Sequence, residues 1–88
     1  MKGLRVYYSG RVQGVGFRWT TLQIAKEFEV TGTVRNLRDG RVQLDVCGLE
    51  VQQFLEAIRG SHLAGHIANE VCEEVEFVEA PRGFRIIE

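Results

Sequence analysis

The sequence predicts an α+β domain, an antiparallel sheet carrying two helices on one face. Three observations carry that expectation. Leu4, Val6, Tyr8 and Val12 alternate with Arg5, Tyr7, Ser9 and Arg11, the period of a strand with one buried face. Val51, Phe54, Leu55 and Ile58 recur at the i, i+3, i+4, i+7 spacing of a helix buried along one stripe. Between them lie two strand-like runs, residues 30–37 and 42–46, with Asp39-Gly40 as a hairpin turn signal.

Taken in order, the first strand leads into Gln13-Gly14-Val15-Gly16-Phe17-Arg18, whose glycines break regular structure. Thr20 and Gln23 match the spacing of a capping box, which predicts a first helix opening there and ending near Glu29. Its apolar arc is Leu22, Ile24, Ala25 and Phe28, with Gln23, Lys26 and Glu27 left to solvent. The hairpin pair comes next, then the second helix, stopped by Gly60. Residues 61–69 give no clear pattern. Val71, Val75 and Phe77 mark a fourth strand, Pro81-Arg82-Gly83 a turn, and residues 84–87 a short closing strand. The order strand-helix-strand-strand-helix-strand is a split βαβ unit in which the third strand separates the parallel first and second.

With 88 residues the chain has room for one modest core, so a single domain over residues 1–88 is expected. A hydrophobic fraction of 44% and a charged fraction of 26% are those of an ordinary folded domain. A formal charge of −1 argues against a general binder of nucleic acid or anionic membranes. The N-terminus has no apolar signal segment, so a cytoplasmic location is expected, as is a monomer. Cys47 and Cys72 lack metal or redox spacing. On strands flanking the first, their backbones would be roughly 9–10 Å apart, beyond the disulfide reach of about 7 Å. Both are expected as thiols.

The chemistry is expected at the first loop. A glycine loop running from a strand into a helix presents unpaired N–H groups at the positive end of the helix dipole, where phosphate is a natural ligand. Residues 13–18 fit that description, yet they lack the Gly-Lys-Ser/Thr of a P-loop and the third glycine of a dinucleotide fingerprint. Arg18 adds a planar, permanently charged fork for two phosphate oxygens. Asn36 shares its strand face with Val34, the face toward the helices, at the sheet end where the first strand delivers the loop. Arg18 and Asn36 are therefore expected to converge. An asparagine there can hold a water, though it is no strong base.

The run Gly10-Arg11-Val12-Gln13-Gly14-Val15-Gly16-Phe17-Arg18, followed by Thr21, resembles the acylphosphatase signature. Residues 32–42, Gly-Thr-Val-Arg-Asn-Leu-Arg-Asp-Gly-Arg-Val, resemble the second motif of that family. The resemblance implies a ferredoxin-like βαββαβ sandwich with a short additional C-terminal strand. It implies hydrolysis of acyl phosphates to a carboxylate and inorganic phosphate without metal or cofactor. Phosphate would be held by Gln13, Gly14, Val15, Gly16, Phe17 and Arg18, and water by Asn36, with Thr21 as a possible support. The departures are Thr33, an aromatic position in many relatives, Gly16, which makes the loop one glycine richer than in some relatives, and residues 61–69.

The alternative is a non-catalytic phosphate or carbamoyl-phosphate binding module, because similar domains form part of larger hydrogenase-maturation proteins. Asn36 speaks against it, since simple anion binding has no evident use for that residue. An RNA-recognition module shares the topology, but its aromatic strand motif is missing. His62 and His66 have a metal-like i, i+4 spacing without a third ligand. The arginines at 35, 38 and 41 read as solvated surface, with steering of an anionic substrate as the minor alternative, and Glu73, Glu74, Glu76 and Glu79 read as charges that protect a sheet edge.

Overall fold

The computed structural model describes all residues, Met1–Glu88. The elements run β1 (Lys2–Gly10), α1 (Phe17–Ala25), β2 (Val30–Asn36), β3 (Val42–Gly48), α2 (Val51–Arg59), a 3₁₀ turn (His62–His66), β4 (Ile67–Glu76) and β5 (Phe84–Ile86). Five strands form one sheet in the order β4-β1-β3-β2-β5. β3 lies between β1 and β2 and is antiparallel to both, as the split unit requires. β5 joins β2 in parallel, with Val34 opposite Ile86, so the sheet is mixed at that edge.

The alternation read from the sequence sets the core. Val6 and Tyr8 of β1, Val34 of β2, and Val42, Leu44 and Val46 of β3 are fully buried beneath the helices. Phe54, Leu55 and Ile58 of α2 close over them, each such side chain contributing about 1.5–3 kcal/mol on burial. On the opposite face Arg5 grips Asp45 with two hydrogen bonds of 2.8 and 3.1 Å, and Gln43 donates to the same carboxylate. The Arg41 guanidinium stacks 4.5 Å from the centre of the Tyr7 ring.

The first helix departs from its expected limits. It opens at Phe17, not after Thr20, because Gly16 at φ 76° turns the chain directly into the helix. Thr20 already lies inside it, donating its N–H to the Gly16 carbonyl at 2.9 Å. It ends at Ala25, where Lys26, Glu27 and Phe28 bond to carbonyls three residues back and tighten the last turn. Phe17, Thr21 and Ala25 are the buried positions, while Ile24 and Phe28 pack at the margin of the core. Gly60 does cap α2, but in right-handed conformation rather than the left-handed one common at such ends.

The unpatterned stretch becomes the 3₁₀ turn. Ser61 caps it by accepting the Leu63 N–H at 3.1 Å, and Leu63 is buried in the core. β4 starts at Ile67, earlier than the valine pattern indicated, because its first residues are placed by pairing with β1 rather than by apolar alternation. Cys47 of β3 is buried opposite Thr31 and Cys72 of β4 is exposed opposite Val6, with β3 and β4 on the two sides of β1; both are free thiols. Partial burial and the neighbouring Glu70 push the Cys72 thiol up, which keeps it protonated at neutral pH. No helix is long and apolar enough to cross a membrane.

Candidate active site

β1 ends at Gly10 in a register shift against β4, and the chain then crosses the end of the sheet to reach α1. Gly14 and Gly16, at φ 78° and 76°, shape this loop. A Cβ at either position would meet nothing within 4 Å, so backbone conformation, not lack of room, demands glycine. No side chain caps α1 and no acidic residue occupies its first turn. Its positive end, with the N–H groups of the first turn, is met by no side chain of the protein.

A cleft of about 230 Å³ opens at this point, lined by Val12, Gly14, Gly16, Phe17, Arg18, Trp19, Asn36 and Ile86. Arg18 and Asn36 therefore share one cavity, although 18 positions separate them in the chain. Arg18 is half-buried and has no ion-pair partner in the protein. Asn36 closes β2 opposite Val42. Its Oδ1 is buried without a hydrogen-bond partner, and such an atom is costly to desolvate unless it binds a ligand or water. Behind the cleft, the Tyr8 and Phe17 rings pack at 5.0 Å. Burial drives the Tyr8 hydroxyl far above its ordinary pKa, so it stays neutral.

The remaining expected site residues divide. Gly14, Gly16 and Phe17 line the cleft. Val15 packs against the core, and the Gln13 side chain turns to the β2–β3 hairpin, so only their backbone groups are available to an anion. Thr21 is fully buried one turn below Phe17 and does not line the cleft; its hydroxyl has no partner. Sequence reasoning missed Val12, Trp19 and Ile86. Trp19 and Ile86 are 62% and 39% exposed, which makes an apolar rim beside Arg18. Trp19 was within reach, since it directly follows Arg18 at the helix start; Ile86 depended on how β5 pairs.

A larger and more open depression of about 500 Å³ lies at the other end of the sheet, between the start of β1 and the start of α2. None of the buried unpaired polar atoms belongs to its lining, so size does not locate the chemistry. No three His, Cys, Asp or Glu side chains cluster at metal-binding distance, and His62 and His66 sit at the two ends of the 3₁₀ turn.

The acylphosphatase family model matches residues 4–86. The chain belongs to the acylphosphatase family. It is 38% identical to an acylphosphatase of Lactobacillus gasseri over 90 aligned positions that cover 99% of each chain. The crystal structure of an acylphosphatase from Bacillus subtilis superposes with a TM-score of 0.87 at 32% identity, covering both chains completely. HypF of T. kodakarensis contains a similar region: this chain matches it with a TM-score of 0.86 and 28% identity over 12% of that longer chain. Membership of the acylphosphatase family makes the chain an enzyme and implies hydrolysis of acyl phosphates.

Proposed function

We propose that the chain hydrolyses acyl phosphates in the cleft at the start of α1, with Arg18 and Asn36 as its two working side chains. The observation that carries this reading is the meeting of an uncapped helix start, an unpaired arginine and a buried, unpartnered amide oxygen in one small cavity. Phosphate oxygens bind the N–H groups of residues 13–18 and the Arg18 guanidinium. Asn36 holds a water through its Oδ1 and directs it in line at phosphorus. The P–O bond to the acyl group breaks, the carboxylate departs with the electron pair and needs no proton, and the phosphate oxygens accept the proton of the water. Positioning and electrostatic stabilisation supply the acceleration, since no side chain of the cleft is a general base.

The test is hydrolysis of benzoyl phosphate by the purified chain without added metal, beside folded Arg18→Ala and Asn36→Ala variants. Turnover by the wild type that both substitutions abolish or severely reduce supports the reading. Near-normal turnover by folded Arg18→Ala overturns it. The similarity to a region of HypF favours one second reading, a phosphate or carbamoyl-phosphate binding module without turnover. Phosphate binding by a wild type that hydrolyses nothing would select that alternative.

A further inference from the structure

We infer that Gln13 is a positioning residue, whose side chain sets the distance between the phosphate-binding loop and the water-holding Asn36; this rests on the function proposed above. The Gln13 carboxamide nitrogen donates to two backbone carbonyls of the β2–β3 hairpin, Leu37 O at 2.8 Å and Arg41 O at 2.9 Å. Both of its N–H groups are thereby used. Leu37 directly follows Asn36, so the contact lies one residue from the amide that holds water.

No other hydrogen bond joins residues 11–16 to the hairpin. The other anchor of the loop, the Arg11 N–H on the His66 carbonyl at 2.9 Å, ties it to the far side of the sheet. The two hairpin carbonyls have further donors of their own. Leu37 O also accepts the Gly40 N–H at 3.2 Å, and Arg41 O accepts the Leu37 N–H at 2.8 Å. The hairpin thus closes without Gln13, and neither carbonyl is orphaned when the amide is removed. What the amide adds is the hydrogen-bonded link between the two loops, and with it a fixed spacing. In-line attack is sensitive to that spacing, because a displacement of about 1 Å from reacting geometry lowers the rate roughly a hundredfold.

The experiment compares kcat for benzoyl phosphate with the inhibition constant of inorganic phosphate in the wild type, Gln13→Leu and Gln13→Asn. Leucine removes both donors, and asparagine keeps the amide one methylene short of the carbonyls. Loop N–H groups and Arg18 remain in both variants, so phosphate affinity is expected to hold within about threefold while kcat falls about tenfold or more. A loss in kcat exceeding the loss in phosphate affinity by at least about fivefold supports the inference, and any smaller difference overturns it. Circular dichroism checks folding, and failure of both variants to fold overturns it too, because Gln13 is then structural. A wild type that hydrolyses benzoyl phosphate alongside indifferent Gln13 variants refutes this inference alone. A wild type without turnover refutes the proposed function and this inference with it.

Discussion

Two arginines on one sheet-helix sandwich meet opposite fates. Arg5, on the face away from the helices, is locked to Asp45 through two hydrogen bonds, and Gln43 supports the same carboxylate. Arg18, at the cleft, has no carboxylate in reach of an ion pair and stands next to an uncapped helix start. On the open face Arg5, Gln43 and Asp45 satisfy one another across neighbouring strands, which is a structural use of charge. At the cleft an unpaired cation and an unpaired amide oxygen are held by a rigid scaffold. The proposed function gives both groups a use, because an anionic substrate and its attacking water would engage them.

The comparison is most severely tested at Arg18. Arg18→Ala should lower kcat/KM for benzoyl phosphate by at least about a hundredfold, equivalent to about 3 kcal/mol of lost transition-state stabilisation, with the fold intact by circular dichroism. Asn36→Ala should come next, lowering kcat by about tenfold or more while the inhibition constant of phosphate changes by less than about threefold, since water placement matters only in the chemical step. Equal losses in both quantities would assign Asn36 to phosphate binding instead.

On the open face the effects should reverse. Asp45→Ala removes a partly exposed pair, so it should destabilise by only about 1 kcal/mol and leave kcat within about twofold of the wild type. Thermal unfolding combined with the benzoyl phosphate assay separates the two outcomes. A large kcat loss without loss of stability would break the division between the faces.

The smallest effect belongs to Asp39 in the hairpin turn. Its carboxylate accepts the Arg41 backbone N–H and pairs with the Arg41 side chain, which holds its pKa below the ordinary value. A pKa lowered by folding adds stability that is complete above the unfolded pKa and disappears as pH falls through the folded one. Asp39→Asn should therefore slightly lower stability at neutral pH, where that contribution is complete, and leave it unchanged in acid, where it is already lost, so that the acid limb flattens, as followed by urea unfolding at several pH values.

Some of this was legible in the chain and some was not, for physical reasons that particular residues make plain. Periodicity is local, so the alternation around Val6 and Tyr8 and the stripe through Phe54 and Ile58 were enough to name their elements. The parity of Val34 and Asn36 indicated which face Asn36 occupies, because successive residues of a strand must alternate. The start of α1 is hidden because Thr20 and Gln23 imitate a capping box while the left-handed Gly16 does the turning four residues earlier. The early start of β4 at Ile67 was equally hidden, since pairing with β1 sets it.

The order and type of the elements, the βαββαβ arrangement and the two family motifs are written in the chain, because turn residues, period and residue identity are properties of short stretches. Folding in three dimensions adds that β5 pairs in parallel beside β2 and brings Ile86 to the cleft, and that the Gln13 amide donates to carbonyls 24 and 28 residues away. Contacts of that kind join a side chain or an edge strand to distant backbone. They leave no periodic trace in the chain, because any residue can supply the carbonyl that receives them.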